Sequence, residues 1–244
     1  MTGVVYWLDM IGVIVFALSG VILACRSRMD PFGMLVLAAM TGIGGGTLRD
    51  LVLGVRPVFW VEDPAYLWVI LATVGLSILG FHYIHRLSRV FLPVADAFGL
   101  ALFTVLGAHK ALLLETSGVV AVLMGLLTGV AGGMMRDVLA RRVPMVLRQE
   151  IYATASIAGG MAFVGLQALG ATLLAAMGGG LAITLGLRLA AIRWRLALPV
   201  FAWVEVERPA PPTREGEAPP PRRRPKARVK LLPPERTARR KDRA

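Results

Sequence analysis

The 244-residue chain has a single cysteine, Cys25, so no disulfide can form within it. Charge is also scarce: 17% of residues are charged against 56% hydrophobic, and the mean hydropathy is +0.67. That balance excludes a disordered protein. It also makes lipid part of the solvent, because no soluble core of this length hides so much apolar surface. The three histidines, His82, His85 and His109, share no ligand spacing with one another or with Cys25, so no metal site is assigned. A nucleophile with its base and a phosphate-binding loop are both missing, and neither enzymatic chemistry nor a cofactor is expected. The apolar stretches lack strand alternation, which excludes a barrel. Ile22-Leu23-Ala24-Cys25 resembles a lipoprotein cleavage site, but no basic n-region precedes it, so this stretch is read as part of a retained span.

What is present is a series of continuous apolar runs, at 4–25, 32–55, 65–85, 94–114, 118–140, 150–168 and 171–192. Each approaches the ~20 residues that carry a helix across the hydrocarbon core. The predicted fold is therefore an all-α polytopic membrane protein with seven transmembrane helices. The loops after spans 1, 3 and 5 carry Arg26, Arg28, Arg86, Arg89, Arg141, Arg142 and Arg148, whereas those after spans 2, 4 and 6 carry only Arg56 and Lys110. That asymmetry puts the N-terminus outside a cell membrane and the C-terminus in the cytoplasm. Residues 205–244 hold 13 Lys+Arg against 6 Asp+Glu, and 9 of the 15 prolines. The basic tail, 196–244, is expected to be disordered and drawn to anionic membrane lipid. Nucleic-acid binding is not expected, since the tail has neither a folded motif nor interleaved aromatics.

The chain also repeats itself. Asp9, Gly12, Phe16 and Gly20 recur 87 positions later as Asp96, Gly99, Phe103 and Gly107. The same offset relates Thr41, Gly42, Gly45, Gly46, Arg49, Asp50 and Pro57 to Thr128, Gly129, Gly132, Gly133, Arg136, Asp137 and Pro144. Eleven identities at one offset exceed what shared apolar composition gives. Residues 1–87 are read as a first three-helix repeat, 88–170 as a second, and 171–195 as a seventh helix. Three is odd, so the second unit enters the bilayer inverted, and a functional site is expected where the copies meet near mid-membrane.

Two features of the repeat sit at that depth. The first is a run of small residues, Gly44, Gly45 and Gly46 in span 2 and Ala131, Gly132 and Gly133 in span 5. Helical glycine costs about 1 kcal/mol relative to alanine, so a kink or unwound turn lining a wet cavity is the favoured reading. Small-xxx-small helix packing is the other. The second feature is the charge that follows, Arg49 with Asp50 and Arg136 with Asp137. Buried charge demands partners or water, and cross-repeat pairs, Arg49 to Asp137 and Arg136 to Asp50, are one solution. Bundle architecture and a pore lining explain these charges equally well. Asp9 and Asp96 read as helix-start acids, with a pore mouth as the alternative. Lys110 reads as a snorkelling lysine or as a charge that responds to voltage. Ser19, Thr41 and Thr128 supply hydroxyls able to line a pore.

Gly44-Gly45-Gly46-x-x-Arg49-Asp50, its copy Ala131-Gly132-Gly133-x-x-Arg136-Asp137, and the three-plus-three-plus-one plan resemble the prokaryotic branch of the trimeric intracellular cation (TRIC) channels. Bacterial members are also described as glycine transporter domain or UPF0126 membrane proteins. The resemblance spans residues 1 to 195. It implies a homotrimer in which each protomer has a hydrophilic pore between its repeats, conducting K+ above Na+, with the glycine-rich segments flanking the pore and the Arg-Asp pairs as its charged part. Animal members carry a basic cluster in their fourth span, where this chain has only His109 and Lys110. A secondary transporter of a small neutral amino acid such as glycine is the alternative, an Arg facing the carboxylate and an Asp the amine.

Overall fold

The computed structural model describes residues 3–148, 151–194, 196–197, 200–206 and 226–232. Helix α1 covers Gly3–Arg26. Pro31 then opens α2, Pro31–Val52, at the position where its missing N–H is no loss, and Asp30 Oδ1 accepts from Gly33 N at 2.7 Å as the N-cap. A single turn, α3 (Phe59–Glu62), precedes α4 (Ala65–Leu79). Helix α5 runs from Phe81 to Leu113, α6 from Gly118 to Leu139, α7 from Ala153 to Ala168 and α8 from Leu173 to Trp194, with a 3-10 turn at Met145–Leu147.

The seven predicted spans map onto α1, α2, α4, α5, α6, α7 and α8, with two differences. Among the described residues, five segments are long and apolar enough to cross a membrane by length and composition: α1, α2, Phe91–Leu113 of α5, α6 and α8. Helices α4 and α7, of 15 and 16 residues, are shorter. The third and fourth spans are also not separated by a loop, so the predicted repeat boundary at 87/88 lies inside α5. No Gly or Asn stands between Phe81 and Pro93 to end the helix, and Pro93 removes only the one hydrogen bond its own N–H would make.

The duplication is written into the backbone. Helices α1 and α2 end at 26 and 52, and α5 and α6 end at 113 and 139, each pair 87 apart. The left-handed residues that terminate them keep the offset: Arg28 (φ 55°) with Glu115 (φ 57°), and Gly54 (φ 70°) with Arg141 (φ 55°). So do the closing bonds, Met29 N to Ala24 O with Thr116 N to Ala111 O, and Val55 N to Asp50 O with Arg142 N to Asp137 O. Packing follows the same pseudo-twofold. The Phe16 ring lies on Gly99 and the Phe103 ring on Gly12, and the two rings meet at 5.0 Å between centroids. Gly20 backs onto Thr41 of α2 as Gly107 backs onto Thr128 of α6.

Residues Ala197–Ala244 form a separate unit. Within it β1 (Val200–Val206) pairs antiparallel with β2 (Lys226–Leu232), Val200 opposite Leu232 and Val206 opposite Lys226. The expectation of disorder fails for these two stretches. Val200–Val206 is rich in β-branched and aromatic residues, Lys226–Leu232 alternates basic with apolar, and the prolines of the tail fall outside both. The Pro-Arg run at 219–224 and the basic 239–241 lie outside the described residues.

Candidate functional site

The seam between the repeats is the crossing of α2 over α6. A Cβ on Gly45 would run into the carbonyl of Thr128, and one on Gly132 into the carbonyl of Thr41. The two contacts are images of each other under the offset of 87. No turn is unwound there: both helices continue through Gly44-Gly45-Gly46 and Ala131-Gly132-Gly133. The glycines here permit backbone to touch backbone, and that close approach offsets their low helix propensity. Gly46 makes room for the Phe59 ring, and Gly133 for the Asp96 carboxylate and the Tyr152 hydroxyl, whose oxygens lie 3.1 and 3.3 Å from where its Cβ would stand. Thr41 and Thr128 donate their hydroxyls to Leu37 O and Met124 O of their own helices.

On either side of this crossing lies a buried cluster of charge. In the first, Arg49 Nε donates to Asp50 Oδ1 at 2.8 Å, and Lys110 Nζ from α5 reaches Asp50 at 3.2 Å. Asp50 Oδ2 also accepts from the backbone of Phe59 at 3.1 Å, and the Phe59 ring lies under Arg49 with 5.6 Å from guanidinium carbon to centroid. Asp9, in electrostatic reach of these groups, accepts from Tyr66 Oη at 2.6 Å. Asp50 is fully buried and Arg49 4% exposed, whereas the Lys110 side chain is 19% exposed.

The second cluster repeats the plan. Arg136 Nε donates to Asp137 Oδ1 at 3.0 Å, and its Nη1 donates to Asp96 Oδ1 at 3.1 Å and to Ser19 Oγ at 3.0 Å. Asp137 Oδ2 accepts from Met145 N at 3.2 Å, as Asp50 does from Phe59 N. Tyr152 lies beside Asp96 across Gly133, at the place corresponding to Tyr66 beside Asp9, although only Tyr66 donates a hydrogen bond to its aspartate. The second cation comes from α8: Arg188, fully buried, lies over the Tyr152 ring at 4.6 Å and donates to the Ile151 carbonyl at 3.0 Å. Each cluster thus sets two carboxylates against two cations beside one tyrosine. Removing a partner from such a set strands a charge, so the opposed charges are what make the burial tolerable, although Asp96 Oδ2 has no hydrogen-bond partner among the described residues. A crevice too tight to admit a water-sized sphere adjoins the second cluster, bounded by Val130, Gly133, Asp137, Met145 and Tyr152 among others.

The separation of the clusters follows from helix geometry. Asp9 and Ser19 are ten residues apart on α1, roughly 15 Å of rise, and Lys110 and Asp96 are fourteen apart on α5, roughly 21 Å. Phe16 and Phe103 occupy the interval.

Two more expectations are corrected. The pairs Arg49–Asp137 and Arg136–Asp50 do not form, because each guanidinium folds onto the carboxylate next to it in sequence. Contact between the repeats runs instead through Lys110 to Asp50 and Arg136 to Ser19. Asp9 and Asp96 are not helix-start acids: Asp9 lies two turns inside α1 and Asp96 deep within α5, both as members of the clusters. The reading from sequence also passed over Tyr66, Tyr152 and Arg188. The signal for the tyrosines was their near-equal spacing from the aspartates, 57 and 56 residues, and for Arg188 its position as the one charge inside an apolar run.

This arrangement defines a class: an integral membrane protein of inverted three-helix repeats, with charge-balanced clusters at both ends of the seam between them. A family model described as glycine transporter matches the chain twice, over residues 6–82 and 93–168. The UPF0126 membrane protein of Vibrio cholerae is 52% identical over 201 residues, 82% of this chain and 84% of that one. The UPF0126 inner membrane protein YadS of Escherichia coli is 52% identical over 199 residues, 81% of this chain and 96% of that one. Of solved structures, the TRIC trimeric intracellular cation channel orthologue from Rhodobacter sphaeroides matches with a TM-score of 0.75 at 43% identity, covering 79% of this chain and 99% of that one. Another TRIC cation channel matches at 0.74 and 29% identity, over 86% of this chain and all of that one. The chain belongs to the TRIC/UPF0126 family of membrane proteins.

Proposed function

We propose that this protein is a channel for monovalent cations, preferring K+, that sits in the inner cell membrane as a homotrimer with one path between the repeats of each protomer. The observation that carries this reading is the pair of charge-balanced clusters on either side of a seam whose helices present glycine to each other. The kinship to structures described as TRIC cation channels supports it. The N-terminus is outside, so the first cluster faces outward and the second faces the cytoplasm. A cation entering the seam exchanges hydration for carboxylate and hydroxyl oxygens from Asp9, Asp50, Ser19, Asp96 and Asp137. The neighbouring Arg49 and Arg136 keep those carboxylates from holding it, so an ion that enters also leaves. At the Gly45–Gly132 crossing the two backbones stand in direct contact. The basic tail adds attraction to anionic lipid of the cytoplasmic leaflet.

The description of the family model favours one other reading, transport of glycine or a similar zwitterion. Purified full-length protein in a planar bilayer with a K+ gradient separates the two. Ohmic unitary currents reversing near the K+ potential are the expected result. Silent bilayers, with saturable glycine uptake into liposomes, would establish the transporter.

Lys110 is the partly exposed charge of the first cluster, paired to the buried Asp50. One elementary charge moved across the membrane is worth about 2.3 kcal/mol per 100 mV. Lys110→Gln is therefore expected to flatten the dependence of open probability on voltage while the reversal potential stays put, as read from single-channel records across a voltage range.

A further inference from the structure

Helix α8 lies outside the duplication, yet it supplies a group to the second cluster that no repeat-derived helix supplies. Its placement is fixed from two points. At the first, α8 crosses α7 backbone to backbone: a Cβ on Gly159 would stand 2.6 Å from the Gly180 carbonyl, and one on Gly180 would stand 2.9 Å from the Gly159 carbonyl. At the second, Arg188 meets Ile151. Arg188 is eight residues beyond Gly180, and Ile151 eight before Gly159, the register of an antiparallel helix pair. Between these points α7 and the last turns of α8 are held together as one piece.

The Arg188 end of this pair bears on the cluster. Nη1 holds the Ile151 carbonyl just ahead of α7, and the guanidinium plane covers the Tyr152 ring. Tyr152, 2% exposed, reaches past Gly133 to face Asp96, and it also forms a wall of the crevice that adjoins Asp137. The first cluster has no counterpart. There the second cation is a lysine, a flexible point charge that touches the carboxylate directly and is partly in solvent. Arginine, by contrast, combines several donors with a guanidinium that sits over aromatic rings, and Arg188 turns Nη1 to the Ile151 carbonyl while its guanidinium lies over the Tyr152 ring.

Resting on the channel reading above, we infer that Arg188 is the positioning residue of the second cluster: through Ile151 and Tyr152 it holds the tyrosine over Asp96, so that the unduplicated helix sets how often this end of the path opens.

The test uses the full-length protein in planar bilayers, with size-exclusion elution as the check on folding. Arg188→Gln is expected to raise the open probability by about fivefold or more, with unitary conductance and reversal potential unchanged. Arg188→Lys, which keeps the charge and loses the planar fork, is expected to fall between. Tyr152→Leu is expected to give the same rise, and the double variant no further one, because both act through the placement of the same tyrosine. A folded Arg188→Gln protein with wild-type open probability would overturn the inference. So would a fall in unitary conductance, which would put Arg188 on the path itself, or additive effects in the double variant. Failure of both Arg188 variants to fold would make the residue framework only. Each of these outcomes leaves the channel reading intact, whereas a silent wild-type protein overturns that reading and the inference with it.

Discussion

Alanine in place of Gly45 is expected to destabilise the protein by about 1–3 kcal/mol and to abolish its currents, and Gly132→Ala is expected to do the same. The added methyl has no space to enter. At Gly45 it meets the carbonyl of Thr128 and at Gly132 that of Thr41, and both obstacles are backbone. The helices must separate along their line of closest contact, and with them the two clusters on either side. Propensity alone gives the opposite sign, since alanine stabilises a helix by up to about 1 kcal/mol over glycine. Gly165 of α7, with nothing within 4 Å of its ideal Cβ, is the control: Gly165→Ala is expected to be neutral or stabilising. Thermal unfolding of the three variants in one detergent reads the difference in sign.

A larger loss is expected for Arg136→Met. Arg136 is fully buried and serves Asp96, Asp137 and Ser19 together, so its removal takes from two carboxylates at once the cation that bonds them directly. Breaking a buried ion pair from one side costs about 3–5 kcal/mol. Arg49→Met is expected to cost less, because Lys110 and the Phe59 N–H remain with Asp50. Asp96→Asn combined with Arg136→Met is expected to recover part of the loss, since one of the stranded charges is then gone. Melting temperatures of the single and double variants check the order Arg136→Met, then the double, then Arg49→Met, from most to least destabilised.

Much of this was legible in the sequence. The offset of 87 that aligns Asp9 with Asp96 and Gly45 with Gly132 also aligns helix ends, left-handed caps and the interlocked rings of Phe16 and Phe103. Identities at one offset report structure directly, because equivalent side chains do equivalent packing in both copies. What the glycines do was not legible. Their local cost suggested a break, but the decisive energy is tertiary, from a neighbouring helix that approaches only because no Cβ intervenes. The pairing of Arg49 with Asp50 was hidden for a related reason. Helical geometry points adjacent Cβ atoms about 100° apart, but a guanidinium at the end of a long chain folds back across that angle. Tyr66 and Tyr152 escaped because the loops before them differ by one residue, which breaks the offset. Arg188 escaped because it belongs to the helix with no copy.

The claim on which the rest depends is that cations cross between the two repeats, and Ser19 marks that place from both sides. It lies on α1 of the first repeat, donates to Phe16 O at 2.8 Å, and accepts from Arg136 of the second repeat at 3.0 Å. A thiol there, Ser19→Cys in a Cys25→Ser background, can be titrated with Ag+, a monovalent cation close to K+ in size that bonds irreversibly to sulfur. With this protein in a planar bilayer under a K+ gradient, Ag+ is expected to extinguish the current irreversibly while sparing the Cys25→Ser parent. Persistent, unaltered currents through the Ser19→Cys protein in Ag+ would place the route of the ion elsewhere and contradict the account.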